Sequence, residues 1–396
     1  MIISPMKLMV SAAALALLGG CASAQTATRP VLGAVAMTAE QRAEVQKSGL
    51  KMLAWDDATR SANFRRMAEL SPGVEVAPPA VARALPQGER LRVDPARLRA
   101  FMDAQHVAGI MVLKDGKVRL ETYGLGMGPE DRWASFSVAK SFTSTLVGAA
   151  IRDGFIRSLD EPVTTYVPEM KGGGYDGVTV RQILTMTSGV RWNEDYKDPN
   201  SDVWRALTVA VAPDEEPVVA YMRGLPREAT PGTRWHYNSG ETNLIGLVVQ
   251  RATGRLLADY AREKIAGPAG FEGGLFWQVD ASGHNIGGCC LSLRLRDYAR
   301  FGLLALEGGK GVVSATWFAE ASRPVSSVGQ PGYGYGFQWW TYPQGRWGGQ
   351  GVFGQAVTIY PGKNAVAVVL SNWSQASDPA QRMAQRQFID ELMTEL

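Results

Sequence analysis

Three residues, Ser137, Lys140 and Tyr237, have types and spacing that could do covalent chemistry. Ser137-Val138-Ala139-Lys140 sets a hydroxyl and an amine three residues apart. On a helix that spacing puts both side chains on one face, within contact. Serine is a poor nucleophile until a neighbour takes its proton. At a helix N-terminus it also meets the positive end of the helix dipole. That dipole and a hydroxyl-lined surrounding hold the proton affinity of the lysine down, so the amine can accept a proton. The same pattern occurs at Ser4 to Lys7 and at Ser48 to Lys51. The first lies in an apolar leader and the second has Gly49 inside it. Only Ser137 opens a long apolar helix pattern.

Tyr237 is the only one of the 12 tyrosines with Asn or Ser two places on, in Tyr237-Asn238-Ser239. It follows the turn Pro231-Gly232-Thr233 and precedes a helix pattern, so it sits on a loop. A nearby ammonium favours phenolate, so beside Lys140 the phenol is expected to titrate lower than usual. It would then relay protons between nucleophile and leaving group.

The elements that must position these residues are legible from pattern. Ala108 to Val112 is an apolar run, Asp115-Gly116 is a hairpin signal, and Lys117 to Tyr123 alternates as the return strand. Phe136 to Ile151 is a helix pattern closed near Gly154. Residues 155 to about 310 read mostly as helix and loop, with helices at Val180 to Met186 and at Thr242 to Ala252, the second stopped by Gly254. Strands return at Gly334 to Trp340, Ala356 to Tyr360 and Ala365 to Ser371, and a helix runs from about Pro379 to Leu396. Strands open and close this region and helices fill its middle. The fold expected is α+β, an antiparallel sheet flanked by N- and C-terminal helices with a helical lobe inserted. The βαβ alternation of a doubly wound sheet is absent.

Ahead of that region the chain has two parts. Residues 1–24 read as an export signal: Lys7 supplies a thin positive region, and Leu8 to Gly20 is too short an apolar run to span a bilayer. Leu18-Gly19-Gly20-Cys21 resembles a bacterial lipobox, in which Cys21 would carry the lipid. Ala22-Ser23-Ala24 is a competing cleavage site that would give a soluble periplasmic protein, and the lipoprotein form is slightly favoured. Residues 25–96 read as an accessory region and linker, with a capping box at Thr38-Ala39-Glu40-Gln41 and an extended connector from Pro72 to Pro86. Residues 97–396 form the chemical domain.

Composition narrows the function classes. Of 396 residues, 45% are hydrophobic and 20% charged, which is globular. A net charge of +3 without a dense basic cluster gives no nucleic-acid footprint. Three histidines, His106, His236 and His284, leave little material for a zinc site or a histidine triad, so no metal or other cofactor is expected. Adjacent cysteines rarely pair, so Cys289 and Cys290 read as two small buried hydrophobes.

The chain resembles the serine β-lactamase and penicillin-binding protein superfamily. It is most similar to the branch of class C β-lactamases, family VIII carboxylesterases and nylon-oligomer (6-aminohexanoate-dimer) hydrolases. Beside the Ser137 and Tyr237 motifs, supporting phrases are Leu184 to Gly189, Arg296 to Gly302 and Tyr333 to Phe337. The resemblance implies a β-lactamase/transpeptidase-like fold and an acyl-enzyme on Ser137, with Lys140 and Tyr237 taking and returning the proton. The substrate implied is a small ester or short linear amide. The family's K-T-G strand motif departs from type: its match is Arg346-Trp347-Gly348-Gly349, where arginine keeps the charge and tryptophan replaces the hydroxyl. A W-x-G variant resembles the family VIII esterases and argues against β-lactam binding. The oxyanion hole would use the Ser137 N–H and one N–H between Gly348 and Val352. The acid-rich loop Trp192 to Asp202 resembles the nylon-oligomer branch, where its tyrosine contacts the substrate amide; Tyr196 takes that place here. Two other readings stand beside this one: a β-lactamase or D-Ala-D-Ala peptidase, and a non-catalytic envelope binding protein. An α/β-hydrolase is disfavoured, since G-x-S-x-G occurs nowhere.

Overall fold

The computed structural model describes residues 33–212 and 215–396. The expected signal peptide and Cys21 lie outside the described residues. Among the described residues, twelve strands form two sheets. The larger is β3-β2-β12-β11-β10-β9-β8-β7, every neighbouring pair antiparallel. Its strands are β2 (Val107–Lys114), β3 (Lys117–Tyr123), β7 (Ser326–Ser327), β8 (Gly334–Tyr335), β9 (Trp340–Thr341), β10 (Trp347–Gly351), β11 (Gln355–Tyr360) and β12 (Ala365–Ser371). The smaller, β1-β5-β6-β4, joins β1 (Gly73–Val76), β4 (Arg132–Ala134), β5 (Leu275–Gln278) and β6 (Leu291–Arg294).

The large sheet is covered on both faces, which is why β12 reads as an unbroken apolar run with every residue buried. On one face lie α2 (Pro95–Ala104) and α7 (Pro379–Thr394), joined by Phe101 stacked on Phe388 at 3.8 Å. On the other lie α3 (Ala139–Arg152) and α6 (Leu295–Leu306), joined by Phe142 stacked on Phe301 at 3.7 Å. The inserted lobe includes α4 (Asp202–Thr208) and α5 (Ser239–Thr253). Asp115 and Gly116 make the β2–β3 turn with φ of 51° and 71°, the positive pair that a type I′ hairpin needs. Gly254 closes α5 in the left-handed region.

Three expectations change. The connector from Pro72 to Pro86 contains β1, which pairs with β5, so the accessory region is built into the small sheet. The segment Gly334 to Trp340 is two short strands with a turn between them, because Gln338 takes φ 60°. That turn is fixed by Gln338, whose amide donates to the carbonyls of Ile183 and Leu184 and accepts from Thr242. Strands β5 and β6 fall where helix and loop were read; they are four residues each and buried but for Arg294 at the end of β6, so no alternation marks them. Helix α1 (Ala39–Ala54) begins at the predicted capping box, with Thr38 and Gln41 exchanging both bonds.

Candidate active site

Ser137 lies where β4 passes through a short 3₁₀ turn, Phe136–Val138, into α3. The sharp bend is carried by Phe136 at φ 44°, a backbone region that a bulky residue adopts only when its surroundings enforce it. Its ring is wedged between Phe64, at 4.8 Å, and Phe353, at 5.2 Å. The bend leaves the Ser137 N–H at the opening of a helix, where no intrahelical acceptor exists. Gly351, the last residue of β10, comes so close that a Cβ there would lie 3.1 Å from Ser137 N and 2.7 Å from Ser135 O. Only glycine allows that approach.

Lys140, three residues after Ser137 in the first turn of α3, is buried, 2% exposed. Its Nζ donates to Ser239 Oγ and to the Gly288 carbonyl, each at 3.0 Å. Burial lowers its pKa from 10.5 to about 8, and Glu194 works against that fall. Glu194 is the acceptor of the site. It takes bonds from Ser239 N at 3.0 Å, from the Tyr196 hydroxyl at 2.7 Å, from Ser239 Oγ and from Trp192 Nε1.

Tyr237 stacks on Trp340 with ring centroids 5.7 Å apart, and the side chains of Ser137 and Ser239 act on its phenol in the sense that favours the phenolate, more weakly than burial opposes it. The expected lowering of its pKa is not found. Burial first, then Glu194, push the phenol up. Lys140 faces the ring, 5.4 Å from its centroid, so its charge does little for a phenolate oxygen at the rim.

A cavity of about 600 Å³ opens over these groups, lined by Ser137, Glu194, Tyr196, Tyr237, Trp340 and Val352 among others. Tyr196, assigned from the loop, is therefore at the site. The third motif is not where the sequence put it. Trp347, Gly349 and Gly351 share one face of β10, and Gly351 is the residue that meets Ser137. Trp347 lies four residues back, about 13 Å along a strand. Its side chain is core, 4.8 Å from Trp339 and 5.8 Å from Phe318. Arg346 pairs with Asp390 of α7 and donates to the Pro343 carbonyl, and it does not line the cavity. Gly348 faces the β11 backbone, and Gly349 makes room for Ser141. The strand residues that reach the cavity are Gln350, Gly351 and Val352. The motif was displaced because glycines fill several positions of β10, and sequence alone does not say which one meets the nucleophile.

Sequence reasoning also passed over Glu194, Trp340 and Arg382. Glu194 sits among several similar acids in its loop. Arg382 of α7 donates to the carbonyls of Gly351, at 2.7 Å, and Gln355, at 3.2 Å, so a helix from the far face holds the strand end at Ser137. Nothing near Arg382 in sequence signals that role. Cys289 and Cys290 are bonded to each other, not free, with Cα atoms 3.5 Å apart. The chain turns at Cys290, φ 125°, which brings the two side chains together.

The Beta-lactamase family model matches residues 96–390. The 6-aminohexanoate-dimer hydrolase of Paenarthrobacter ureafaciens is 30% identical over 342 residues, 81% of this chain and 87% of that protein. A Bacillus anthracis structure, provisionally assigned as a 6-aminohexanoate-dimer hydrolase, superposes with a TM-score of 0.72 at 21% identity, covering 84% of this chain and 93% of that one. A family VIII carboxylesterase superposes with a TM-score of 0.57 at 18% identity, covering 78% and 99%.

Proposed function

The chain belongs to the Beta-lactamase family, and from that premise we propose that it is a serine hydrolase acting through an acyl-enzyme on carboxylic esters or short linear amides. The observation that carries the reading is the convergence of Ser137 and Tyr237 on one cavity, with Lys140 facing the Tyr237 ring at 5.4 Å, bonded to Ser239, and its pKa brought by burial to about 8. A lysine at that value is partly amine near neutral pH and can act as a base.

In this reading Ser137 Oγ attacks the carbonyl carbon while its proton leaves through the Tyr237 hydroxyl toward Lys140. The new oxyanion is held by the N–H groups of Ser137 and Val352, which flank the close approach at Gly351. The protonated Tyr237 then returns a proton to the departing oxygen or nitrogen. Water repeats the sequence on the acyl-enzyme. Gln350, Gly351 and Val352 bring neither a hydroxyl-bearing residue nor an ammonium to the cavity, so the strand offers less to a β-lactam carboxylate than K-T-G would. Export, with lipid on Cys21 or in soluble form, is proposed from the leader sequence alone.

The test is initial rates on a short p-nitrophenyl ester, a chromogenic cephalosporin and a linear 6-aminohexanoate dimer, with Ser137→Ala as control. Ester or amide turnover that falls at least about 10³-fold in Ser137→Ala is expected. Equal rates in the two proteins would sink the reading, and fast cephalosporin turnover would move it to a β-lactamase.

A further inference from the structure

A second cavity adjoins the first at Ser137, sharing Leu53, Tyr196 and Val352 with it, and part of its wall comes from the accessory region. It holds about 140 Å³. Val45, Gly49, Met52 and Leu53 of α1 line it together with Val203, Leu207 and Ile286. Helix α1 is fixed on the lobe by Gln46, which donates to the Val209 carbonyl, and it lies wholly before the family match that begins at residue 96. Among the described residues, no carboxylate, ammonium, guanidinium or imidazole lines this cavity. Its polar side chains are Ser48, Ser137, Trp192, Tyr196, Ser239, Asn243 and Gln278, and the rest of its lining is mainly apolar. Asn243 is occupied by the Gly288 N–H, and Gln278 Oε1 is a buried acceptor with no partner among the described residues.

Two cavities at one nucleophile must divide the substrate between them. The proton donor to the leaving group has to face that group. Tyr237 lines the wide cavity and not the narrow one. The leaving group therefore belongs in the wide cavity and the acyl chain in the narrow one. An apolar cavity of about 150 Å³ stays dry and holds a six-carbon ring, which sets the scale.

We propose that the narrow cavity is the acyl pocket and takes an unbranched, uncharged aliphatic chain of about six carbons, with α1 setting its length. The proposal rests on the serine hydrolase reading above. It separates this chain from one built for an acyl group with a terminal ammonium. Gln278 Oε1 can accept from a neutral terminal donor, but one neutral acceptor does not balance a buried cation.

The experiment measures kcat/KM of the full chain on p-nitrophenyl acetate, butyrate, hexanoate and octanoate and on the 6-aminohexanoate ester. The proteins are the wild type, Gly49→Leu, Met52→Ala and Ser137→Ala. Each methylene entering the pocket should raise kcat/KM about fourfold up to hexanoate, and octanoate should fall. The 6-aminohexanoate ester should be at least about tenfold poorer than hexanoate. A side chain at Gly49 would press on Leu207, 3.1 Å from the position of its Cβ, and into the pocket. Gly49→Leu should therefore lower the hexanoate-to-acetate ratio about tenfold, and Met52→Ala should move the optimum to octanoate. A ratio within one sample does not depend on how much of it folds. Serine-dependent rates that are flat in chain length, an unchanged ratio in both pocket variants, or a 6-aminohexanoate rate equal to hexanoate would overturn the pocket and leave the hydrolase reading standing. Equal rates in wild type and Ser137→Ala would overturn both.

Discussion

The Ser239 hydroxyl donates to Glu194 Oε1, so toward Lys140 it can only accept, and Lys140 accordingly donates to it at 3.0 Å. A second N–H of Lys140 is taken by the Gly288 carbonyl. An amine has two N–H bonds, and both are then used. Its lone pair is left free to take a proton in the proposed mechanism. Glu194 thus sets the direction of the bonds around the base without touching the nucleophile.

Glu194 also opposes the fall in the lysine's pKa. The active form is the amine, which gains population as pH rises through about 8, so wild-type kcat/KM should rise through that pH. The charged and titratable groups that line the cavity are Arg60, Glu194, Asp195, Tyr196, Lys197, Tyr237, Asp378 and Arg382. Glu194→Gln removes the carboxylate that favours the ammonium. The rise should move to lower pH while the plateau rate falls. A pH profile checks this. A plateau that drops with no movement of the limb would reduce Glu194 to a packing role.

Tyr237 should stay protonated across the working range, because burial and Glu194 push its phenol up. In the proposed mechanism it relays a proton and donates it to the leaving group in the second half of the reaction. Tyr237→Phe should cost about 10²–10⁴ in kcat, the range for a positioned acid or base. The ultraviolet difference between wild type and Tyr237→Phe should show no tyrosinate from pH 7 to 10. A tyrosinate signal assigned to Tyr237 in that window would restore the phenolate mechanism expected from sequence.

Gly351→Ala should cost about 10²–10³ in kcat, comparable to losing one oxyanion donor. Its Cβ would meet Ser135 O at 2.7 Å, and that neighbour is backbone, which cannot swing aside. Arg382→Met should cost less, since it frees the Gly351 carbonyl without forcing the strand away. The two act on one strand end, so the double variant should lose less than the product of the single losses. Strict multiplication of the losses would show that Arg382 acts elsewhere.

The reach of the sequence follows from what each residue's role depends on. Ser137, Lys140 and Tyr237 are tied to local geometry: a helix start, a helical turn and a loop before an N-cap. Those signals travel with their neighbours in the chain, and the structure brings the three together. Trp347 and Gly351 lie on one strand face, and only tertiary packing decides which of them meets Ser137. Arg382 and α1 reach the site from distant parts of the chain, where nothing local marks them. Glu194 was visible as an acid, but its use depends on Trp192, Tyr196 and Ser239 converging on it. The signals of Ser137, Lys140 and Tyr237 lie near them in sequence, whereas the placing of β10, Glu194, Arg382 and α1 at the site depends on long-range contacts.

Glu241, two residues beyond Ser239 on α5, ties stability to pH. Its Oε1 accepts from Ser188, while its buried Oε2 has no partner among the described residues. Burial raises its pKa from 4.5 to about 8, so the folded chain keeps this proton where the unfolded chain releases it. Between those values the unfolded state binds fewer protons, and stability falls as pH rises. The contribution is fully present below about 4.5 and lost through about 8, with a slope of at most about 1.4 kcal/mol per pH unit. Glutamine mimics the protonated acid and does not titrate. Urea unfolding at pH 5, 6.5 and 8 should therefore show Glu241→Gln gaining on the wild type as pH rises. Parallel pH dependences in the two proteins would mean that Glu241 is ionised in the folded state and that Ser188, Tyr175 and Asn238 suffice to hold its charge.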